Sequence, residues 1–489
     1  MTSSAIVLAI SAAYLVLSLV VGMWPSKGSS DSATGYVAGD RSLGLLVMYF
    51  ITGATIFSSF AFLGAPGWAY GKGAGAFYIL GYGALGFVPF YFLGPRAARA
   101  GRKYGFVTQA EMVAYRFGTP ALAGVMAVVS VVAFVPYLSI QMRGAGMVLE
   151  IVTRGALPVW AGALIVYGVV LAYVLRSGVL GVGWTNTLQG IFMLALAWGL
   201  GLYLPTKLYG GVQAMFEQIA AQRPEHLLTP GPKWTWGQYT GAVLVSAIGF
   251  SAWPHLFMKA FTARDERTLK RTVVLYPTFQ IFLVPLFLIG FAGVLFESAP
   301  PQPDQILPHI LMNLDLPDVL VGLFCAGALA ASMSSGDAMA HAAASIAVRD
   351  GLVGAARMSI DNERQRTLIR WAVVIVMVLA YAVTVFAHYV LKTSIVIMLL
   401  YAYGAVVQFA PGLVAALYLR NVTGRGVLAG MIVGSAITVV LLIAPELMPV
   451  RLHAGLYGLV ANTIVMLAMS RTAEGENAFL ATCSSRDGG

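Results

Sequence analysis

Apolar runs of roughly 17–25 residues, long enough to cross a bilayer as helices, recur along the whole chain with short polar segments between them. They fall at 4–23, 45–70, 74–94, 120–149, 156–175, 182–205, 239–258, 272–296, 317–348, 371–390, 394–419, 425–444 and 452–470. The pattern predicts an all-α membrane protein with about thirteen transmembrane helices. The longest stretch between runs, 206–238, is an outer loop of modest size, and 471–489 is a short polar tail. Residues 1–470 therefore read as a single polytopic domain with no soluble catalytic domain attached.

Composition agrees. Hydrophobic residues make up 59% of the 489 and charged residues 10%, against about 25% charged in a typical soluble domain. A water-soluble chain of this size could not hide so much apolar surface. The 54 glycines suit close helix–helix approach in lipid. Of the two cysteines, Cys325 lies in an apolar run and Cys483 in the polar tail, so no disulfide framework is implied. Residues 4–23 lack a preceding basic residue and a following Ala-x-Ala site, and they read as a retained first helix rather than a signal peptide.

The net charge of +10 would suggest nucleic acid, but the basic residues sit in the short loops between apolar runs. With the N-terminus outside, the inner segments hold 22 Lys and Arg, the outer segments 7, and Arg143 lies within a run. This is the positive-inside bias. It places the C-terminus in the cytoplasm and supports an odd number of helices.

Two runs look broken. One carries Gly53-Ala54-Thr55-Ile56-Phe57-Ser58-Ser59 followed by Gly64-Ala65-Pro66-Gly67, the other Gly249-Phe250-Ser251-Ala252-Trp253-Pro254-His255. Irregular backbone survives at membrane depth only where it lines a cavity or ligand, and paired interruptions in two halves of a chain point to a transporter with a midplane site. A third segment, Ala331-Ser332-Met333-Ser334-Ser335-Gly336-Asp337, offers hydroxyls to a hard cation. Small residues there would also simply permit close packing.

Four stretches taken together resemble the sodium:solute symporter family, whose members include proline, glucose, pantothenate and monocarboxylate carriers on the LeuT-like fold. They are Gly53-Ala54 through Ser58 with Phe62-Leu63-Gly64-Ala65-Pro66-Gly67 and Tyr70; Trp184-Thr185-Asn186-Thr187-Leu188-Gln189-Gly190; Trp253-Pro254-His255 with Lys259; and Ala330-Ala331-Ser332-Met333-Ser334-Ser335. The resemblance implies an inverted repeat of five plus five helices, about 45–205 and 239–419, with one extra N-terminal helix and two C-terminal helices. It also implies a sodium site in which Ala54, Phe57 and Ala331 give carbonyl oxygens and Ser334 and Ser335 give hydroxyls. One departure stands out. Many members have Asp where this chain has Asn186, while Asp337 follows the serine pair. Asp337, with Ser58, Ser334 and Asn186, is the candidate for a second cation position.

Charges inside a membrane are costly and usually functional. Two readings of Arg143, in Gln141-Met142-Arg143-Gly144, stand side by side: it binds a substrate carboxylate bidentately, or it pairs with Asp337. Asp337 and His341 share a helix face at i and i+4. That spacing leaves proton coupling as an alternative to sodium, although His341 reads better as a packed, hydrogen-bonded histidine. Phe250 and Trp253 lie in the second break and are candidates to close over substrate, and Gln141 and Gln408 to hydrogen-bond it.

The leading reading is a sodium-coupled symporter in the cell membrane importing a small organic solute, with a monocarboxylate ahead of an amino acid or another small solute. No Gly-x-x-x-x-Gly-Lys-Ser/Thr loop is present, which argues against a nucleotide-driven pump. No organic cofactor is implied. A membrane enzyme would need a cluster of His, Asp or Glu at one face, and a sensor would need a following signalling domain; both rank far behind.

Overall fold

A chain without water around its backbone must satisfy its N–H and C=O groups internally, and this one does so almost entirely as helix. The computed structural model describes residues 3–24, 32–229, 234–314, 316–391, 395–470 and 478–484. Among them the β pairing amounts to a single bridge between Leu43 and Ala263.

The elements used below are α1 (Ser3–Met23), α2 (Leu45–Ile56), α3 (Ala65–Lys72), α4 (Val88–Tyr104), α5 (Pro120–Val152), α6 (Val159–Tyr209) and α7 (Trp236–Phe250). They continue with α8 (Pro254–Phe257), α9 (Glu266–Gln280), α10 (Asp318–Ile346), α11 (Asn362–Phe386), α12 (Ile395–Val406), α13 (Gly424–Ile443), α14 (Ala454–Ala468) and α15 (Ala478–Ser484). By length and composition, nine helices among the described residues are able to cross a membrane, ten if the bent pair of α7 and Pro254–Thr262 is one span. Two further apolar helices, α2 and α14, are shorter. One source of the difference from thirteen is α6. Its 51 residues would extend about 76 Å, against a hydrocarbon core of about 30 Å. The helix turns at Gly178, where φ is 55° and ψ −144°. Only glycine fits there, because a Cβ would strike the carbonyl and ring of Tyr36. The expected runs 156–175 and 182–205 lie on either side of this break.

The centre of the bundle is α10. Every residue from Phe324 to Ile346 is buried, so this stretch presents no face to lipid. Its sequence explains how: alanine, serine and glycine dominate it, and small side chains let neighbouring backbones approach. α1, α5, α6 and α11 pack around it, and α2 reaches it from the first broken span. At Gly336 an added Cβ would collide with the hydroxyl and ring of Tyr167.

The basic end of the bundle is tied by polar contacts. Arg41 donates to Phe261 O, Gly101 O and Phe106 O at 3.1, 2.9 and 2.9 Å. Thr108 Oγ1 donates to Asp350 at 2.6 Å, and Arg349 pairs with Glu111 at 2.5 Å. Asp265 caps α9 by accepting from Thr268 N–H, which holds its carboxyl below the ordinary aspartate range. The tail corrects one expectation. Cys483 is buried rather than set in a solvated tail, because α15 turns Phe479, Leu480 and Cys483 inward. Arg99 donates to Cys483 O at 3.0 and 2.7 Å. Residues 471–477 and 485–489 of the expected tail lie outside the described residues.

Candidate functional site

The first broken span loses its α-helical path at Phe57, whose φ and ψ are −86° and 77°. After Ser58 and Ser59 the chain resumes as a wide π turn over Phe60–Gly64, and α3 follows directly. The second span stops at Phe250, bends by 41°, and restarts at Pro254. Pro254 has no N–H to continue a helix but fits a first turn.

The broken span is joined to α10 by two hydroxyls. Ser334 Oγ donates to Ala54 O at 2.9 Å and also reaches Ala331 O at 3.1 Å. Ser335 Oγ donates to Thr55 O at 2.7 Å. Three of the expected ligands, Ala54, Ala331 and Ser334, therefore converge within hydrogen-bond distance. Ser335 stands beside them but engages Thr55, a residue that sequence reasoning did not single out. Phe57 sits at the break, with its ring stacked on Phe279 and Tyr276. All of these groups are buried. A small hard cation prefers several oxygen ligands, and this cluster offers hydroxyl and carbonyl oxygens with no water needed to complete the pairing.

Gln141 of α5 supports the break. Its Oε1 accepts from Ser59 N–H at 2.9 Å, and its backbone carbonyl accepts from Ser332 Oγ at 2.7 Å. It thus satisfies backbone freed by the interruption.

Asp337 lies near the serine pair along α10, but its partners come from α6. Tyr173 hydroxyl donates to it at 2.7 Å, and Thr185 Oγ1 and Asn186 Nδ2 at 3.3 Å each. Asn186 and Asp337 are thus brought together. Ser58, expected with them, instead accepts from Phe60 N–H at 3.1 Å. His341 meets Tyr36 O through Nε2 at 3.0 Å, so its ring serves packing and not Asp337. Lys259, seen in the sequence only as part of a motif, is buried beyond the second break. With His255, Ala338 and His341 it lines a small cavity, across which Asp337 influences it electrostatically.

Arg143 does not pair with Asp337. Its Nη2 donates to Gln302 Oε1 at 2.7 Å, and its nearest acidic influence is Asp304. Both belong to the segment 297–316, between the eighth and ninth expected runs. Asp304 accepts from Ile395 N–H at 3.1 Å. Burial pushes its carboxyl above the ordinary range, and the Ile395 N–H and Arg143 oppose the rise. Gln302 and Asp304 were missed because polar residues in a Pro-rich loop carry no signal of the buried cation they will meet.

The aromatic candidates close around the two breaks. Phe250 packs against Tyr82, Phe87 and Tyr276. Trp253 packs against Phe134, Tyr137 and Tyr403. Phe57, Tyr82, Phe250 and Gln280 line a cavity of about 10 Å³, little more than the room for one water. Gln408 is elsewhere. Its amide donates to Gly455 O at 3.0 Å and Thr438 Oγ1 at 3.2 Å, and its carbonyls accept from Asn462. This buried amide is thus engaged with α13 and α14.

Comparison with known proteins adds independent findings. A family model described as "Sodium:solute symporter family" matches residues 36–434. The chain is 28% identical over 93% of its length to an uncharacterised symporter, YhjB, of Bacillus subtilis, covering 95% of that protein. It is 25% identical to a sodium/pantothenate symporter of Haemophilus influenzae over 86% of each chain. Among solved structures, a sodium-coupled sialic acid symporter in a substrate-bound outward-open state superposes with a TM-score of 0.80 at 20% identity, over 96% of this chain and 99% of that one.

The role of Gln141 is testable by thermal unfolding in detergent. Gln141→Leu leaves the Ser59 N–H without its acceptor, at a cost of about 1–3 kcal/mol. Its midpoint should fall clearly below that of the parent, whereas Gln141→Glu, which keeps an acceptor oxygen, should lose less. An unchanged midpoint for Gln141→Leu would remove this role.

Proposed function

This chain belongs to the sodium:solute symporter family, and we propose that it couples inward sodium movement to uptake of a small monocarboxylate by alternating access. As a member of that family it is a multi-pass membrane transporter rather than an enzyme. The observation that carries the proposal is the meeting of Ser334 and Ser335 with the Ala54 and Thr55 carbonyls at a broken helix. Sodium entering there would take the oxygen of each hydroxyl as a ligand and release the carbonyl lone pairs that those hydroxyls now occupy. Ala331 O would join them, and Phe57 O at the break is the remaining candidate ligand.

The ion would thereby tie α2 to α10, and its departure would let the two separate. Inward sodium gains about 2.3 kcal/mol per charge for each 100 mV of membrane potential. Asp337, with Asn186, Thr185 and Tyr173 around it, is the candidate second cation position. Lys259 lies across the neighbouring cavity, and any positive charge it carries is one that a second sodium would have to offset.

A carboxylate solute is supported by Arg143, a guanidinium buried within an apolar run and held by Gln302 beside the outer segment. The relative named for pantothenate also handles an organic acid. Phe250 and Trp253 would cover the apolar part of the solute, and Gln141 would act by holding the break. The basic end is assigned to the cytoplasm by the positive-inside bias, with the N-terminus outside and the C-terminus inside.

Proteoliposomes given labelled short carboxylates, amino acids, sugars or pantothenate, under an imposed sodium or proton gradient, test the whole reading. Sodium-driven accumulation of a carboxylate supports it; preference for an amino acid removes the substrate class; accumulation driven only by protons removes the coupling ion. Ser335→Ala should raise the sodium concentration for half-maximal uptake about tenfold, a loss of ~1.4 kcal/mol, and, because the Thr55 carbonyl loses its donor, it should also lower the unfolding midpoint, so uptake is compared on folded, purified protein. Arg143→Gln should weaken carboxylate uptake with little change in sodium dependence, and unaltered carboxylate affinity would exclude Arg143 from binding. Asp337→Asn should change the sodium dependence or stoichiometry, and unchanged sodium kinetics would remove the second position.

A further inference from the structure

At the basic end of the bundle, α4 and α9 line a cavity of about 1130 Å³. Six cationic side chains line it, Arg96, Arg99, Arg102, Arg267, Lys270 and Arg271, against two carboxylates, Asp265 and Glu266. The acids are already engaged. Glu266 holds Arg99 at 2.5 Å and lies 4.0 Å from Arg102, while Asp265 pairs with Arg264 at 3.2 Å and caps α9. Arg96 is fixed in place, donating to Leu417 O at 2.8 Å with its guanidinium 3.9 Å above the Tyr418 ring. Arg267, Lys270 and Arg271 form no ion pair among the described residues, and all three are exposed.

The cavity continues beyond its cationic lining. Tyr91, Lys270 and Arg271 are shared with a second groove that continues along the bundle over Leu45, Val274 and Leu275. Val274 is 65% exposed and neighbouring Phe92 60%, as befits side chains facing lipid. A cationic chamber therefore opens into a more apolar groove. A free anion would fill only the first half of this shape, and a neutral lipid only the second.

We propose that this cleft binds an anionic phospholipid, with its phosphate against Arg267, Lys270 and Arg271 and an acyl chain along Tyr91, Val274 and Leu275. Juxtamembrane Lys and Arg attract anionic headgroups, and here they are presented as a pocket rather than as a diffuse patch. The site lies on α4 and α9, outside the ion cluster on α2 and α10. Lipid binding can thus be measured without any transport assay.

The test is native mass spectrometry of the delipidated full chain titrated with phosphatidylglycerol or phosphatidylcholine. Phosphatidylglycerol adducts should persist at a concentration at least tenfold below that needed for phosphatidylcholine. The variant Arg267→Ala/Lys270→Ala/Arg271→Ala should lose at least fivefold of that preference, while Arg267→Lys/Arg271→Lys should keep it. If the triple variant fails to fold, Arg271→Glu alone should show the same direction of loss. Equal retention of the two lipids, unchanged preference in the neutralised variants, or displacement of phosphatidylglycerol by millimolar inorganic phosphate would each overturn the proposal.

Discussion

In the interior of a bilayer a backbone carbonyl without a helical partner has no water to turn to, and at Ala54 and Thr55 the partners are the hydroxyls of Ser334 and Ser335. Much of the site follows from that contact. The first span is able to come apart at Phe57 because α10 supplies donors on one side and Gln141 supplies an acceptor for Ser59 on the other. The same hydroxyls carry lone pairs that a cation would use. A structural bond and an ion ligand are thus one set of atoms in two states.

For this to work, α10 must lie where no lipid reaches, and its composition makes that possible. Small side chains let α1, α5, α6 and α11 approach it from all sides. The cost of burying Asp337 there is met by three side-chain donors from α6, Tyr173, Thr185 and Asn186. Those donors straddle the turn at Gly178, so a single left-handed residue helps to aim them. The outer cluster around Arg143 obeys the same rule. A buried guanidinium is held by Gln302 and influenced by Asp304.

Much of the fold was legible in the sequence, because bilayer thickness fixes the length of an apolar run and glycine, serine and proline mark where a helix yields. The breaks appear at Phe57–Ser59 and after Phe250, within the stretches those residues flagged. The α10 serines were legible as hydroxyl donors, and Asn186 with Asp337 as a pair. What could not be read was rotation and depth. Gln141 and Gln408 look alike as buried amides, yet one supports the broken span and the other joins α12 to α13 and α14. Arg143 and Asp337 are opposite charges in apolar runs, and only the packing shows that they face different partners. Ser58 similarly turns back on its own chain.

The central claim is that sodium occupies the junction of α2 and α10. Equilibrium binding of radioactive sodium to the purified chain in detergent, without solute, measures this most directly. The account predicts saturable binding that potassium does not displace, and its loss in a folded Ser334→Ala/Ser335→Ala double variant. Saturable binding that is unchanged in that variant, or no saturable sodium binding by the parent chain, would contradict it.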